Sequence, residues 1–151
     1  MGGKRTVSIV WSKSWMRTNL VFRSTAFPSY PGEDEEINPG RYGRRLASFI
    51  AKRLPDCGFE VTGMCAEDWG WRIDLRNDEF PLWIGCGNYE EYDDGFLCFI
   101  EPSQVFVRRW FKSIPTSYTV ERLAAALEKT ILNGADVRDV RWWRPGESAR
   151  G

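Results

Sequence analysis

The chain has 151 residues, about the length of one domain, and 42% of them are hydrophobic, which excludes a wholly disordered polypeptide. Its 21 basic and 21 acidic side chains balance, so a domain-wide polyanion-binding surface is not expected. The sequence contains no histidine, which removes the commonest general base and every Ser–His or Cys–His nucleophile pair.

The N-terminal part predicts two strands. Residues 6–12 alternate apolar and polar side chains, a period of two that is typical of a strand, and residues 19–24 are predicted to be the pairing partner. No apolar core of a signal peptide follows Met1, and no apolar stretch approaches membrane-spanning length. We therefore expect a cytoplasmic protein without membrane contact.

Residues 27–40 contain three prolines, two glycines and four consecutive acids, a composition that predicts an irregular, solvated loop. The pair Asn38-Pro39 then predicts the start of a helix, since Asn is a favoured N-cap and Pro suits the first helical position. This helix is expected to end at Leu54, because Pro55 disfavours helical geometry in the residue before it.

Four further strands are predicted over residues 59–65, 69–76, 82–88 and 96–100, with turn residues between them. Residues 105–111 fit either a strand or a short helix. Thr119 predicts the start of a second helix that stops at Asn133-Gly134, and residues 137–143 predict a last strand.

The predicted order is thus β-β-α-β-β-β-β-α-β, in a single domain over residues 1–144 followed by a flexible tail at 145–151. Connections this short favour antiparallel neighbours. We expect an α+β fold with a twisted, mostly antiparallel sheet and both helices packed on one face.

The four cysteines, Cys57, Cys65, Cys86 and Cys98, are not spaced as the C-x-x-C pairs of metal sites. We predict four reduced thiols, no metal site and no cofactor. Catalysis by Cys86, within the segment Gly85-Cys86-Gly87-Asn88, is not expected, since no histidine is present to activate it.

Two acidic segments are the candidate binding residues. The segment Glu67-Asp68-Trp69-Gly70-Trp71 places two acids before a strand that is predicted to carry both tryptophans on one face, where a ring would desolvate a neighbouring carboxylate. The other segment precedes the predicted helix, whose dipole favours negative charge, and its acids are also of the kind that ligates a hard cation. Its candidate residues are Glu33, Asp34, Glu35, Glu36 and Asn38.

The lengths of the predicted helix 38–54 and strand 59–65 nearly match, at about 25 and 23 Å. The chain should therefore return towards the loop, which brings residues 32–40 and 67–71 together, so that Glu67 or Asp68 accepts hydrogen bonds from the helix N-terminus or from the region of Asn38. Such a carboxylate would serve either as an architectural clamp or as part of a ligand site.

The segments 32–54 and 66–75, which include GEDEEINPG and EDWGW, resemble small uncharacterised proteobacterial single-domain proteins. This resemblance implies a bacterial cytosolic setting and carries no activity with it.

Two functional interpretations follow. The first is a non-catalytic protein that binds another protein, such as an immunity-type protein, through an acidic and aromatic surface. The alternative is a small-molecule-binding protein or an unusual hydrolase built around Glu67 and Asp68. Arg108, Arg109 and Lys112 lie among aromatic residues, but nucleic acid is not the expected partner, since no nucleic-acid-binding motif accompanies them. The oligomeric state stays open.

Overall fold

The structure is a computed structural model that describes residues 15–89, 91–134 and 136–147. The main strands are β1 (Asn19–Arg23), β2 (Val61–Glu67), β3 (Gly70–Leu75), β4 (Leu82–Asn88), β5 (Gly95–Glu101) and β8 (Arg138–Trp142). A separate hairpin is formed by β6 (Phe106–Arg109) and β7 (Lys112–Pro115). The helices are α1 (Glu33–Glu36), α2 (Arg44–Arg53), continued by a 3-10 turn at Leu54–Cys57, and α3 (Ser117–Gly134).

The main sheet has the strand order β2-β3-β4-β5-β1-β8, and every neighbouring pair is antiparallel. Strands β2 to β5 follow one another along the chain as an up-and-down meander, as the short connections predict. The α+β class and the antiparallel sheet are therefore confirmed.

Strand β1 contradicts one predicted pairing. Its two edges are occupied by β5 and β8, so the predicted hairpin between this strand and residues 6–12 is wrong. A short connection favours a hairpin, but the apolar residues Leu20 and Phe22 are better buried in the middle of the sheet. Residues 6–12 themselves lie outside the described part of the chain.

The core lies between one face of this sheet and both long helices. Ile73, Ile84 and Ile100 stand side by side on β3, β4 and β5, and none is exposed to solvent. Helix α2 buries Leu46 and Ile50 against this face, while α3 buries its own apolar stripe beside them. The prediction that both helices cover one face is confirmed.

Helix α2 begins later than the Asn38-Pro39 pair predicts. It starts at Arg44, after Gly43, and residues 38–43 are not helical. Asn38 instead accepts a backbone hydrogen bond from Arg41 in a turn that contains Gly40 at a φ of +78°. The predicted irregular loop also contains one regular turn, α1, formed by the four acids.

The ambiguous segment at residues 105–111 forms the first strand and the tip of the β6–β7 hairpin. At the C-terminal end, Pro145–Glu147 make a turn in which the Glu147 carboxylate pairs with Arg141 at 2.7 Å. The rest of the predicted tail, residues 148–151, lies outside the described residues. Over the described chain, no helix combines the length and the apolar character needed to cross a membrane.

All four cysteines are free thiols. Cys86 and Cys98 are paired across β4 and β5 on the core face, with their Sγ atoms 3.9 Å apart. The hydrogen bond with Cys98, together with burial, raises the pKa of Cys86 well above its ordinary value. Burial also raises the pKa of Cys65, against the opposing effect of Arg72.

We expect a thiol reagent at pH 8 to modify Cys57 and Cys65 in the folded protein well before Cys86 and Cys98. The first pair is half-buried, whereas neither member of the second pair is exposed to solvent. Peptide mass spectrometry over time measures this order. Unfolding without reductant should then expose four reactive thiols, so stoichiometric zinc or a protected pair would contradict the prediction.

Candidate functional site

The two acidic segments of the sequence meet in space. The side-chain amide of Asn38 donates to the backbone carbonyl of Asp68 at 2.8 Å. The indole N–H of Trp71 donates to the carboxylate of Glu33 at 2.9 Å. The predicted juxtaposition of residues 32–40 with residues 67–71 is therefore present, at the end of the sheet where β2 turns into β3.

Glu33 is the centre of this junction. The residue is 2% exposed, although it stands in a run of four acids. One carboxylate oxygen accepts from the backbone N–H of Tyr30 at 3.0 Å. The other accepts from the backbone N–H groups of Gly43 and Arg44, both at 2.8 Å, and from Trp71. A single carboxylate thus joins α1, the start of α2 and strand β3.

This arrangement corrects the predicted acceptor. A carboxylate does occupy the N-terminus of the helix, where backbone N–H groups lack helical partners and the dipole favours negative charge. That carboxylate belongs to Glu33, and not to Glu67 or Asp68. The Glu67 carboxylate lies on the outer face of the sheet, 3.4 Å from the guanidinium of Arg72. The prediction that Glu33 is part of a solvated loop is also wrong.

The loop after α1 is held against the end of β4 by Asn88. The Asn88 side chain accepts from the Tyr42 N–H at 3.0 Å and donates to the Gly40 carbonyl at 2.9 Å. The backbone N–H of Asn88 also donates to the Tyr42 carbonyl at 2.8 Å. This bridging role of Asn88 was missed from the sequence, where the segment Gly85-Cys86-Gly87-Asn88 was considered only for the reactivity of Cys86.

Glycines make that approach possible. A Cβ atom at Gly43 would lie 2.6 Å from the Cys86 carbonyl oxygen, and one at Gly70 would clash with the same atom. A Cβ at Gly87 would lie 2.6 Å from the Trp69 carbonyl oxygen. Three backbone segments therefore touch at the Cys86–Gly87 peptide with no side chain between them.

The two tryptophans lie on opposite faces of the sheet, and the prediction of a shared face is wrong. Trp71 points into the core side, where it meets Glu33. The ring of Trp69 covers Gly85 on the other side and packs against Trp83 and Phe99, with centroid distances of 5.9 and 4.9 Å. The alternation fails because Trp69 belongs to the turn before β3, and Gly70 follows it at a φ of +152°.

Four of the candidate acids remain at the surface: Asp34, Glu35, Glu36 and Asp68. We call these residues the acidic patch. None of them makes an ion pair with another residue of the described chain, and the internal hydrogen bond that Asp34 accepts, from Gly40, is long at 3.4 Å. The patch thus carries negative charge that the described part of the molecule leaves unneutralised.

Two clefts of the described surface lie away from this junction. One, of about 400 Å³, lies on the outer face of the sheet between Arg23, Tyr89 and Arg141. Another, of about 480 Å³, lies between residues 77–81 and strand β6. Residues 33–38 and 67–71 line neither of them. Within residues 15–89, 91–134 and 136–147, no group of three or more His, Cys, Asp or Glu side chains is placed to hold a metal ion.

Comparison with protein-family models, with curated proteins and with solved structures finds no match. Only the residues and geometry of this chain therefore bear on its function.

We expect Glu33→Ala to lower the free energy of unfolding by about 3 kcal/mol or more, because two buried and two partly buried N–H donors lose their charged acceptor. The matched control is Glu35→Ala, an exposed acid of the same helical turn, which should change stability by less than about 0.5 kcal/mol. Urea denaturation of both variants measures the difference. Equal, small effects would show that the carboxylate is not a clamp.

We expect Gly43→Ala to cost about 1–3 kcal/mol, since its Cβ would press against the backbone of β4. Gly63→Ala is the control, because its nearest neighbour is an Asp74 oxygen at 3.7 Å, an ordinary contact. Both changes reduce the freedom of the unfolded chain equally, so the difference reports the folded state. Denaturation midpoints within error of each other would refute the close approach.

Proposed function

We propose that the protein is a non-catalytic protein-binding protein whose acidic patch meets a basic surface of its partner. The observation that carries this proposal is a difference in burial and bonding between neighbouring acids of one run. Glu33 is buried and fully bonded, while the three acids that follow it are exposed and without an ion pair in the described chain.

The patch is held in place before any partner arrives. Because Glu33 fixes α1 on the start of α2, the next three carboxylates project from an anchored turn. Asn38 ties the same loop to the carbonyl of Asp68, which brings the fourth acid alongside. An interface that is ordered in the free protein loses less conformational entropy on association, which favours affinity.

An aromatic surface borders the patch. Trp69 directly follows Asp68, and its half-buried ring forms a cluster with Trp83 and Phe99 on the sheet face opposite the helices. The Arg72 guanidinium lies 5.5 Å from the centre of the Trp83 ring. Tryptophan and arginine are enriched among the residues that contribute most to protein interfaces.

The geometry gives less support to a hydrolase built around Glu67 and Asp68. The Glu67 carboxylate pairs with Arg72, while Asp68 is exposed in a turn, and the two do not converge on one of the clefts described above. A general acid or base needs a substrate-sized space within hydrogen-bonding reach. A binding role needs only the charged surface.

An immunity-type role fits this chemistry. A protein of this kind neutralises a toxin by covering the surface through which the toxin acts. An acidic patch is complementary to such a surface when that surface is rich in Lys and Arg. Charge complementarity of this kind speeds association as well as selecting the partner.

The test is a charge reversal on a folded background. In pull-downs from the native host, the variant Glu35→Lys/Glu36→Lys/Asp68→Lys should lose the partner that the unmodified protein captures, with at least about a tenfold fall in affinity. Asp34 is kept, because it accepts a hydrogen bond from Gly40. Binding of the unmodified protein should also weaken as salt is raised.

The control is Asp56→Lys/Asp93→Lys/Asp136→Lys, which changes the net charge equally at exposed acids outside the patch. It should bind as the unmodified protein does. A partner that both triple variants retain, or that both lose, would contradict the assignment of the acidic patch.

A further inference from the structure

The β6–β7 hairpin ends in two aromatic side chains that the rest of the described chain leaves uncovered. Trp110 is 85% exposed and Phe111 is 95% exposed, at the two-residue connection between Arg109 and Lys112. Phe106, at the start of β6, is a further exposed aromatic residue. Burial of such rings is favourable through the hydrophobic effect, so two of them exposed to water at a single tip call for an explanation.

The backbone adds a second cost at the same point. Trp110 has a φ of +59°, in the left-handed region that glycine and asparagine adopt readily and bulky residues do not. Two-residue hairpin connections favour glycine, asparagine or aspartate at such positions. A tryptophan therefore lies where its backbone is strained and where its side chain makes few packing contacts. Backbone strain of this kind is concentrated at functional sites.

The hairpin is held against the rest of the fold by packing and hydrogen bonds, although its tip is exposed. Val107 and Ile114 face each other across its strands and pack on the core. The Arg109 guanidinium donates to the carbonyls of Asp78 and Glu79 at 2.9 and 3.1 Å. At the base, the buried Thr116 donates from its backbone N–H to the Val105 carbonyl. The aromatic tip is thus presented in a fixed position.

The cations beside the tip are available for a partner. Arg108 and Lys112 are exposed, and neither forms an ion pair within the described residues. The exposed acids Asp78 and Glu79 lie beside Arg109, and their charge opposes the approach of a polyanion. This arrangement favours a protein surface over a lipid bilayer or a nucleic acid strand.

We propose that the hairpin is a second docking element, in which Trp110 and Phe111 enter an apolar pocket of a partner protein while Arg108 and Lys112 meet carboxylates on the pocket rim. This element is separate from the acidic patch. Strand β3 lies between the β2–β3 turn, which carries Asp68, and the segment 77–81, which holds the hairpin.

The first arm of the test separates binding from folding. Trp110→Gly places at φ +59° the residue that adopts this conformation without strain, so the melting temperature should stay unchanged or rise. If Trp110 anchors a partner, the same variant should weaken binding to the protein identified by the position-111 adduct described below by about 30-fold or more, as expected for a residue that dominates an interface. A clear fall in melting temperature would show an architectural role and overturn the proposal.

The second arm identifies the pocket. A photoreactive phenylalanine analogue at position 111 in the full chain should form one discrete adduct in the native host, mapped by mass spectrometry to apolar residues flanked by Asp or Glu. The adduct should disappear in Arg108→Glu/Lys112→Glu. It should persist in Tyr118→Ala, an exposed aromatic residue on α3, and in the charge-reversed acidic patch.

Besides a fall in melting temperature, three outcomes overturn the proposal. One is the absence of any adduct that depends on Arg108 and Lys112, and another is an adduct that maps to a surface without carboxylates. The third is binding of the purified protein to phosphatidylserine vesicles or to oligo(dT) that Trp110→Gly abolishes, which would assign the tip to lipid or nucleic acid. Failure to find any partner whose binding depends on the acidic patch would contradict the proposed function alone and leave the hairpin proposal standing.

Discussion

The buried carboxylate of Glu33 is the interaction on which the surrounding structure depends. It accepts hydrogen bonds from a loop, from the first turn of α2 and from the indole of Trp71 on β3. Helix N-termini need acceptors, and most helices find them in the residue that immediately precedes them. Gly43 precedes α2 and has no side chain to offer, so an acid ten positions earlier supplies the acceptor.

This long-range cap explains what sequence reasoning could and could not predict. Strands β2 to β5 and helix α3 follow from apolar periodicity and turn residues, which are local properties, and their bounds differ from the predicted ones by only a few residues. The start of α2 was misplaced because Asn38-Pro39-Gly40 carries the local signals of a helix start while the chain makes a turn there. Nothing local distinguishes Glu33 from the three acids that follow it. Its role is decided by the positions of Trp71 and Gly43, which depend on the whole fold.

The face of Trp69 and the pairing of β1 were also mispredicted, because both predictions relied on local sequence patterns. Alternation along a strand predicts faces only as far as the strand extends, and Trp69 lies in the turn before Gly70. For the candidate site, the sequence correctly predicted that the two acidic segments lie close together, but it could not distinguish the buried acid from the exposed ones. The aromatic residues of the β6–β7 hairpin were visible in the sequence, whereas their exposure and the backbone strain at Trp110 appear only in three dimensions.

The meeting of three backbones at the Cys86–Gly87 peptide has a consequence for how relatives of this chain can be recognised. At Gly43, Gly70 and Gly87, the carbonyl group of another backbone segment lies where a Cβ atom would stand. Surface acids and aromatic residues are free to change as partners change, but no other residue type fits these three positions without moving a strand. Distant members of such a lineage would share little beyond a buried Glu and three glycines in this order. Their homology would be detectable from the spacing of these glycines after the larger side chains had diverged.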